Sequence, residues 1–123
     1  MQERLNAVRA TGATNLVMVA GVAYTGVLSR WLEYRPNDTM NPPNIAASVH
    51  IYPPGSQCSD VACWNQYLAP VASQFPLIAG ETGQQGCAHD RMDTVLDWFE
   101  GKQQHYLAWV WWTEPCGSPD CRA

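Results

Sequence analysis

The order of its apolar segments constrains this chain most. Four short runs, "NLVMVAG", "IAASVHIY" (Ile45 to Tyr52), "LIAGE" and "YLAWVWWT", are rich in Val, Ile, Leu and aromatic residues and alternate with stretches of helical period. "QERLNAVRATGA" reads as a helix that turns Leu5, Val8 and Arg9 toward a core and ends at Gly12. Pro53, Pro54 and Gly55 stop the second strand. Ser59 or Asp60 caps a helix through "VACWNQYLAPVASQ", in which Pro70 bends the axis or marks a late start. Asp90 opens "DRMDTVLDWFEGK", where Met92, Val95, Leu96 and Phe99 share one core face and Gly101 supplies the stop. Near-continuous apolar strands separated by helices are the mark of a parallel sheet covered by helices, so the class is α/β with four strand–helix units.

At 123 residues the chain is at most one ordinary domain. A net charge of -4 with 15% charged residues leaves no basic footprint for nucleic acid or an anionic membrane, and a neutral or polar partner fits better. No apolar stretch reaches the roughly 20 residues that cross a bilayer, and "MQERLNAVRATGA" has no apolar signal core, so the chain as it stands carries no export signal. Five cysteines point to an oxidising compartment: Cys58 and Cys63 flank "SDVA", Cys116 and Cys121 flank "GSPD", and Cys87 is left over. With no Cys-x-x-Cys and three histidines far apart, a metal site is not expected.

Two architectures accommodate four such units. An open doubly wound sheet binds nucleotides through a Gly-rich first turn, and neither G-x-G-x-x-G nor the phosphate-binding loop pattern occurs. A (β/α)8 barrel carries its chemistry at the C-terminal ends of its strands, where this sequence places Tyr24, His50, Tyr52, Glu81, Trp109 and Trp111. A full TIM barrel takes about 250 residues, so the chain supplies about half of one.

In order and spacing, "NLVMVAGVAYTG", "AASVHIYPP", "CSDVACW", "PLIAGETGQQGCAHDRMD" and "YLAWVWWT" resemble the C-terminal half of a glycoside hydrolase family 5 enzyme of the bacterial cellulase type, over nearly the whole chain. The resemblance implies strands five to eight of the barrel, hydrolysis of β-1,4-glucan with retention, and no cofactor or metal. It also implies Glu81 as nucleophile, Tyr52 as the tyrosine that hydrogen-bonds it, and His50 as a histidine lining the same site. Trp111 matches the stacking floor beneath the sugar, Trp109 on the same face is assigned to the core, and Tyr24 and Trp31 to the cleft wall. His89 and His105 are read as structural. The family's Asn-Glu-Pro, which carries the acid/base glutamate, is absent from this chain; Glu114 and Pro115 fall after the last strand instead. By the same resemblance Cys87 pairs with Cys116, leaving Cys121 single.

A half barrel, here a single domain over residues 1–123, has two open sheet edges and an inner face on which Val17, Val19, Val49 and Trp109 are expected. A homodimer completing the barrel is the expected remedy, and a secreted location follows from the resemblance and the cysteines. A catalytically inactive truncated or sugar-binding form is the alternative to a working hydrolase.

Overall fold

The computed structural model describes residues 1–52, 57–84 and 89–109. Helix α1 (Gln2–Ala10) leads into β1 (Val17–Ala20), the short α2 (Trp31–Tyr34) and β2 (Ile45–Ile51). A broken helix follows: α3 (Val61–Cys63), a π-helical stretch at Trp64–Leu68, and α4 (Ala69–Ala72). The chain then forms β3 (Leu77–Thr82), α5 (Asp90–Gly101) and β4 (His105–Ala108). The four strands make one sheet in the order β1-β2-β3-β4, every neighbouring pair parallel, as the alternation of apolar runs and helices predicts, and the sequential order is the one that the half-barrel resemblance implies.

Local chemistry explains the boundaries. Asp60, not Ser59, is the cap: its side chain accepts from the Cys63 N–H at 2.8 Å. Pro70 has no N–H to return to residue 66, and the preceding turn widens to the π form, so the helix continues through the proline with one looser turn. Gly12 ends α1 in the left-handed region (φ 81°). At the end of α5 that conformation falls on Gln103 (φ 55°) rather than on Gly101, the stop expected from sequence.

The helices cover one face of the sheet. Leu5, Trp31, Trp64, Leu68, Val71, Val95, Trp98 and Phe99 pack with Val19, Ile45, Ala47, Val49, Ile51, Leu77 and Ala79 into a single core. Several expectations are corrected here. Val19 and Val49 belong to this helix-facing layer, 5% and 0% exposed, with Val17 packed against it, rather than to the inner face. Both faces of a barrel strand are apolar, so alternation alone does not reveal which face meets the helices. Trp109, assigned to the core, is 57% exposed just beyond β4, and Val8 on α1 also faces solvent. In α5 the deep positions are Val95, Trp98 and Phe99, with Trp98 taking the place expected of Leu96.

Cys58 and Cys63 form a disulfide with Cα atoms 5.5 Å apart. Cys87, Cys116, Cys121, Trp111 and Glu114 lie outside the described residues, and with them the Cys87–Cys116 pairing and the stacking floor.

Arg9 ties the N-terminal segments together. Its five N–H donors reach Asp38 Oδ1 and Oδ2 (2.9 and 2.8 Å) and the carbonyls of Ala13, Asn15 and Asn44. The Asp38 side chain is fully buried and also accepts from the N–H groups of Met40 and Asn44. These bonds, those from Arg9 first, hold its carboxyl well below the usual carboxylate range. A depressed carboxyl contributes stability above its unfolded pKa of about 3.9 and loses it as pH falls. Asp38→Asn should therefore flatten the acid limb of stability between about pH 5 and 1, and lower the melting temperature at pH 7; thermal unfolding across pH checks both.

Candidate active site

The site is built where β2 and β3 end. Along β2, Ala46, Ser48 and His50 alternate with the core residues and face away from the helices, and Tyr52 follows in the same phase. On β3 a simple alternation would send Glu81 the way of Leu77 and Ala79, into the helix layer. A register shift prevents that: Val49 pairs with Ala79 but His50 pairs with Glu81, so Gly80 is an extra residue and Glu81 is turned onto the open face. The β3–β4 pairing skips a residue over the same stretch, from Ala79↔Tyr106 to Thr82↔Ala108. Glycine suits the bulge, because a Cβ on residue 80 would come within 2.5 Å of Ser48 Oγ and 3.3 Å of Met18 Cε, and those side chains would have to shift to admit it.

Glu81 stands among groups that recognise a carboxylate. Tyr52 Oη donates to Glu81 Oε2 at 2.8 Å, and His50 Nδ1 lies 3.4 Å from the same oxygen. The His50 and Glu81 side chains are 26% and 31% exposed, so the carboxylate is supported yet reachable. Burial first, and then the bond to Glu81, pushes the Tyr52 phenol up to about 12. Tyr52 is thus a proton donor to Glu81 at any physiological pH, one that steadies the carboxylate without taking its charge.

The cavity in front of these groups, about 630 Å³, is lined by Ala23, Tyr24, Thr25, Gly26, His50, Tyr52, Gln57 and Glu81. The loop after β1 forms its far wall. Val22 and Val27 bridge, and between them Ala23, Tyr24 and Thr25 all adopt positive φ (52°, 55° and 67°). Such angles are costly for non-glycine residues, and a hydrogen bond from the His50 N–H to the Thr25 carbonyl at 3.0 Å helps to hold them. Tyr24 is presented at the tip, 98% exposed, at the mouth of the cavity.

Of the residues expected here from sequence, His50, Tyr52, Glu81 and Tyr24 come together and Trp31 does not. Its side chain is 5% exposed, donates from Nε1 to the Val19 carbonyl at 3.0 Å and packs edge-on against Phe75. Trp31 edges a separate apolar cleft of about 270 Å³ beside the end of β1, away from Glu81. A lone tryptophan after a loop carries no mark that separates cleft wall from core. Gln57 is the lining residue that sequence reasoning missed; it follows the "PPGS" stop and has no pattern of its own. Among the described residues, no group of three or more His, Cys, Asp or Glu could hold a metal ion, and no helix is long and apolar enough to cross a membrane.

Comparison with known proteins bears on this geometry. The fold matches a β-glucanase from Saccharophagus degradans (TM-score 0.76, 18% identity) over 95% of this chain and 39% of that one. It also matches an endo-β-1,4-glucanase from Xanthomonas axonopodis pv. citri (TM-score 0.64, 23% identity) over 92% and 45%. A third match is the catalytic domain of a Thermobifida fusca endoglucanase (TM-score 0.61, 15% identity), over 89% and 38%. At these identities the likeness shows the fold, part of a TIM barrel, and the chain spans less than half the length of each structure. No curated protein sequence matches the chain. The sequence profile of cellulase, glycosyl hydrolase family 5, matches residues 1–115. With that match covering nearly all of its 123 residues and the parallel sheet ending in a supported glutamate, the chain belongs to the cellulase family, glycosyl hydrolase family 5.

Proposed function

We propose that this chain is a half-barrel domain over residues 1–123 that hydrolyses β-1,4-glucan once a second half completes the barrel, with Glu81 as nucleophile. The observation that carries the reading is the 2.8 Å bond from Tyr52 Oη to Glu81 Oε2, with His50 beside it, at the floor of a cavity large enough for a sugar ring. A glutamate fixed on a strand end can attack an anomeric carbon and hold the glycosyl ester, while Tyr52 keeps it oriented and His50 lines the approach. Tyr24 and Trp111 are the proposed sugar-contact residues. The neighbouring structures include the S. degradans enzyme in complex with cellotetraose, which supports a glucan as the substrate here. The Cys58–Cys63 disulfide suits a secreted protein.

A retaining mechanism needs a second carboxylate about 5 to 5.5 Å from the first, and Glu81 is the one carboxylate among the described residues that line the cavity. The proposal therefore assigns the acid/base group to whatever completes the barrel; a second copy of this chain, the component proposed, brings its own Glu81 on the opposite side in place of the family's Asn-Glu-Pro glutamate. In the described sheet, β1 and β4 each have an unpaired edge, and Met18, Leu107 and Trp109 are 43%, 54% and 57% exposed on the open side or just beyond it. Sedimentation velocity at micromolar concentration should give the mass of two chains; a compact monomer overturns the homodimer.

The solitary carboxylate favours one second reading, a sugar-binding form without turnover. Assaying a soluble β-1,4-glucan for both reducing-end release and binding separates the two, since turnover supports the hydrolase and saturable binding without turnover supports the binding form.

A further inference from the structure

Arg91 opens α5 beside Asp90, at the end of a helix whose dipole disfavours a cation. What it touches explains why it sits there. Its Nη2 donates to the carbonyl of Tyr52 at 3.2 Å and, through a shorter contact, to the carbonyl of Ser59. Its guanidinium also lies over the Trp64 ring, 5.5 Å from the centroid. Tyr52 and Ser59 are the two ends of the loop that leaves β2, and one cation gathers both.

That loop reaches the site at two places. Tyr52 sends its hydroxyl to Glu81, and Gln57 lines the cavity. Its far end is held again by the Cys58–Cys63 disulfide and by the bond from Trp64 Nε1 to the Cys58 carbonyl at 3.0 Å. At the Tyr52 end Arg91 is a contact from outside the sheet, made to the backbone carbonyl. A phenol reaches its partner over a long lever from the Cα, so a small displacement of the Tyr52 backbone moves Oη out of the narrow range in which a hydrogen bond to Glu81 survives.

We propose that Arg91 is a positioning residue: by clamping the Tyr52 and Ser59 carbonyls it holds the Tyr52 hydroxyl on Glu81 and the Gln57 loop against the cavity. Its functional meaning rests on Glu81 as the reacting carboxylate, but the clamp itself is tested without turnover, so failure of either reading is visible separately. Among the described residues, the charged and titratable groups that meet Tyr52 or its partner Glu81 include Glu81 from β3, His50 from β2 and Arg91 from α5.

The test is a pH-jump titration of tyrosine absorbance, rapid enough to precede alkaline unfolding, on the wild-type chain, Tyr52→Phe, Arg91→Met and Arg91→Lys. Tyr52→Phe identifies the late-ionising phenol, expected near 12 in the wild type. The sign of the Arg91→Met effect decides. Removing a nearby positive charge, if that is all the substitution does, raises a phenol's pKa. Releasing Tyr52 from Glu81 into water lowers it toward the ordinary value of about 10. The clamp predicts a fall of about one unit or more in Arg91→Met, and a fall also in Arg91→Lys, which loses the fork and whose amine, with an ordinary pKa of about 10.4, is neutral where Tyr52 ionises. An unchanged or raised Tyr52 pKa in a folded Arg91→Met overturns the proposal. Should Arg91→Met fail to fold, Arg91→Lys decides by the same sign.

Discussion

Glu81→Gln is expected to reduce hydrolysis of a soluble β-1,4-glucan by about a thousandfold or more while leaving the fold in place. Glutamine has nearly the same shape, and its carbonyl oxygen still accepts from Tyr52 Oη, which is 2.8 Å from the carboxylate in the wild type. What it loses is the charge and the nucleophilicity needed to form a glycosyl ester. A thousandfold loss corresponds to about 4 kcal/mol of transition-state stabilisation, beyond what a change of polarity in a half-exposed side chain would produce through stability. Initial rates at saturating substrate, with thermal melts of both proteins in parallel, are the measurement. If Glu81→Gln retained a tenth of the wild-type rate, Glu81 would not be the nucleophile.

Trp64→Ala is the second large effect, and it falls on stability. Trp64 is fully buried in the π-helical stretch, donates from Nε1 to the Cys58 carbonyl, and meets Trp98 edge to face at 5.8 Å. Truncating an aromatic side chain in such a setting costs about 3 to 5 kcal/mol, against a total of about 5 to 15 kcal/mol for an ordinary domain. For a chain of 123 residues this corresponds to a melting temperature lower by roughly 12 to 20 °C. The melts should be compared at one protein concentration, because a dimer's midpoint rises with concentration. A loss below about 1 kcal/mol would mean that the helix collapses into the space and that Trp64 is not the anchor of the Cys58 loop.

The strands and helices were legible because their signals are local. Apolar runs bounded by proline and glycine, the stripe of Val95 and Phe99, and Asp60 ahead of "VAC" each act within a few residues, and the parallel sheet follows from their order. Glu81, His50 and Tyr52 were legible as candidates because polar residues closing apolar strands stand out against burial. Trp31 was misplaced and Gln57 missed because aromatic and amide side chains serve core and cleft alike, and only the packing of Phe75 and the Val19 carbonyl around Trp31 settles its side. The left-handed turn after α5 fell on Gln103 instead of the glycine two residues earlier because the last helical turn extends through Gly101.

The sequence by itself determined the class of fold, the parallel sense of the strands and three candidate side chains at their ends, since periodicity and strand-end polarity are properties of short segments; the order of the strands came only through the family resemblance. Tertiary structure alone decided which sheet face meets the helices, and so moved Val19 and Val49 into the core. It also decided that Glu81 would face the open side at all. Alternation counted along β3 sends that carboxylate into the helix layer; the bulge at Gly80 reverses it, and a bulge exists only in the pairing of one strand with another.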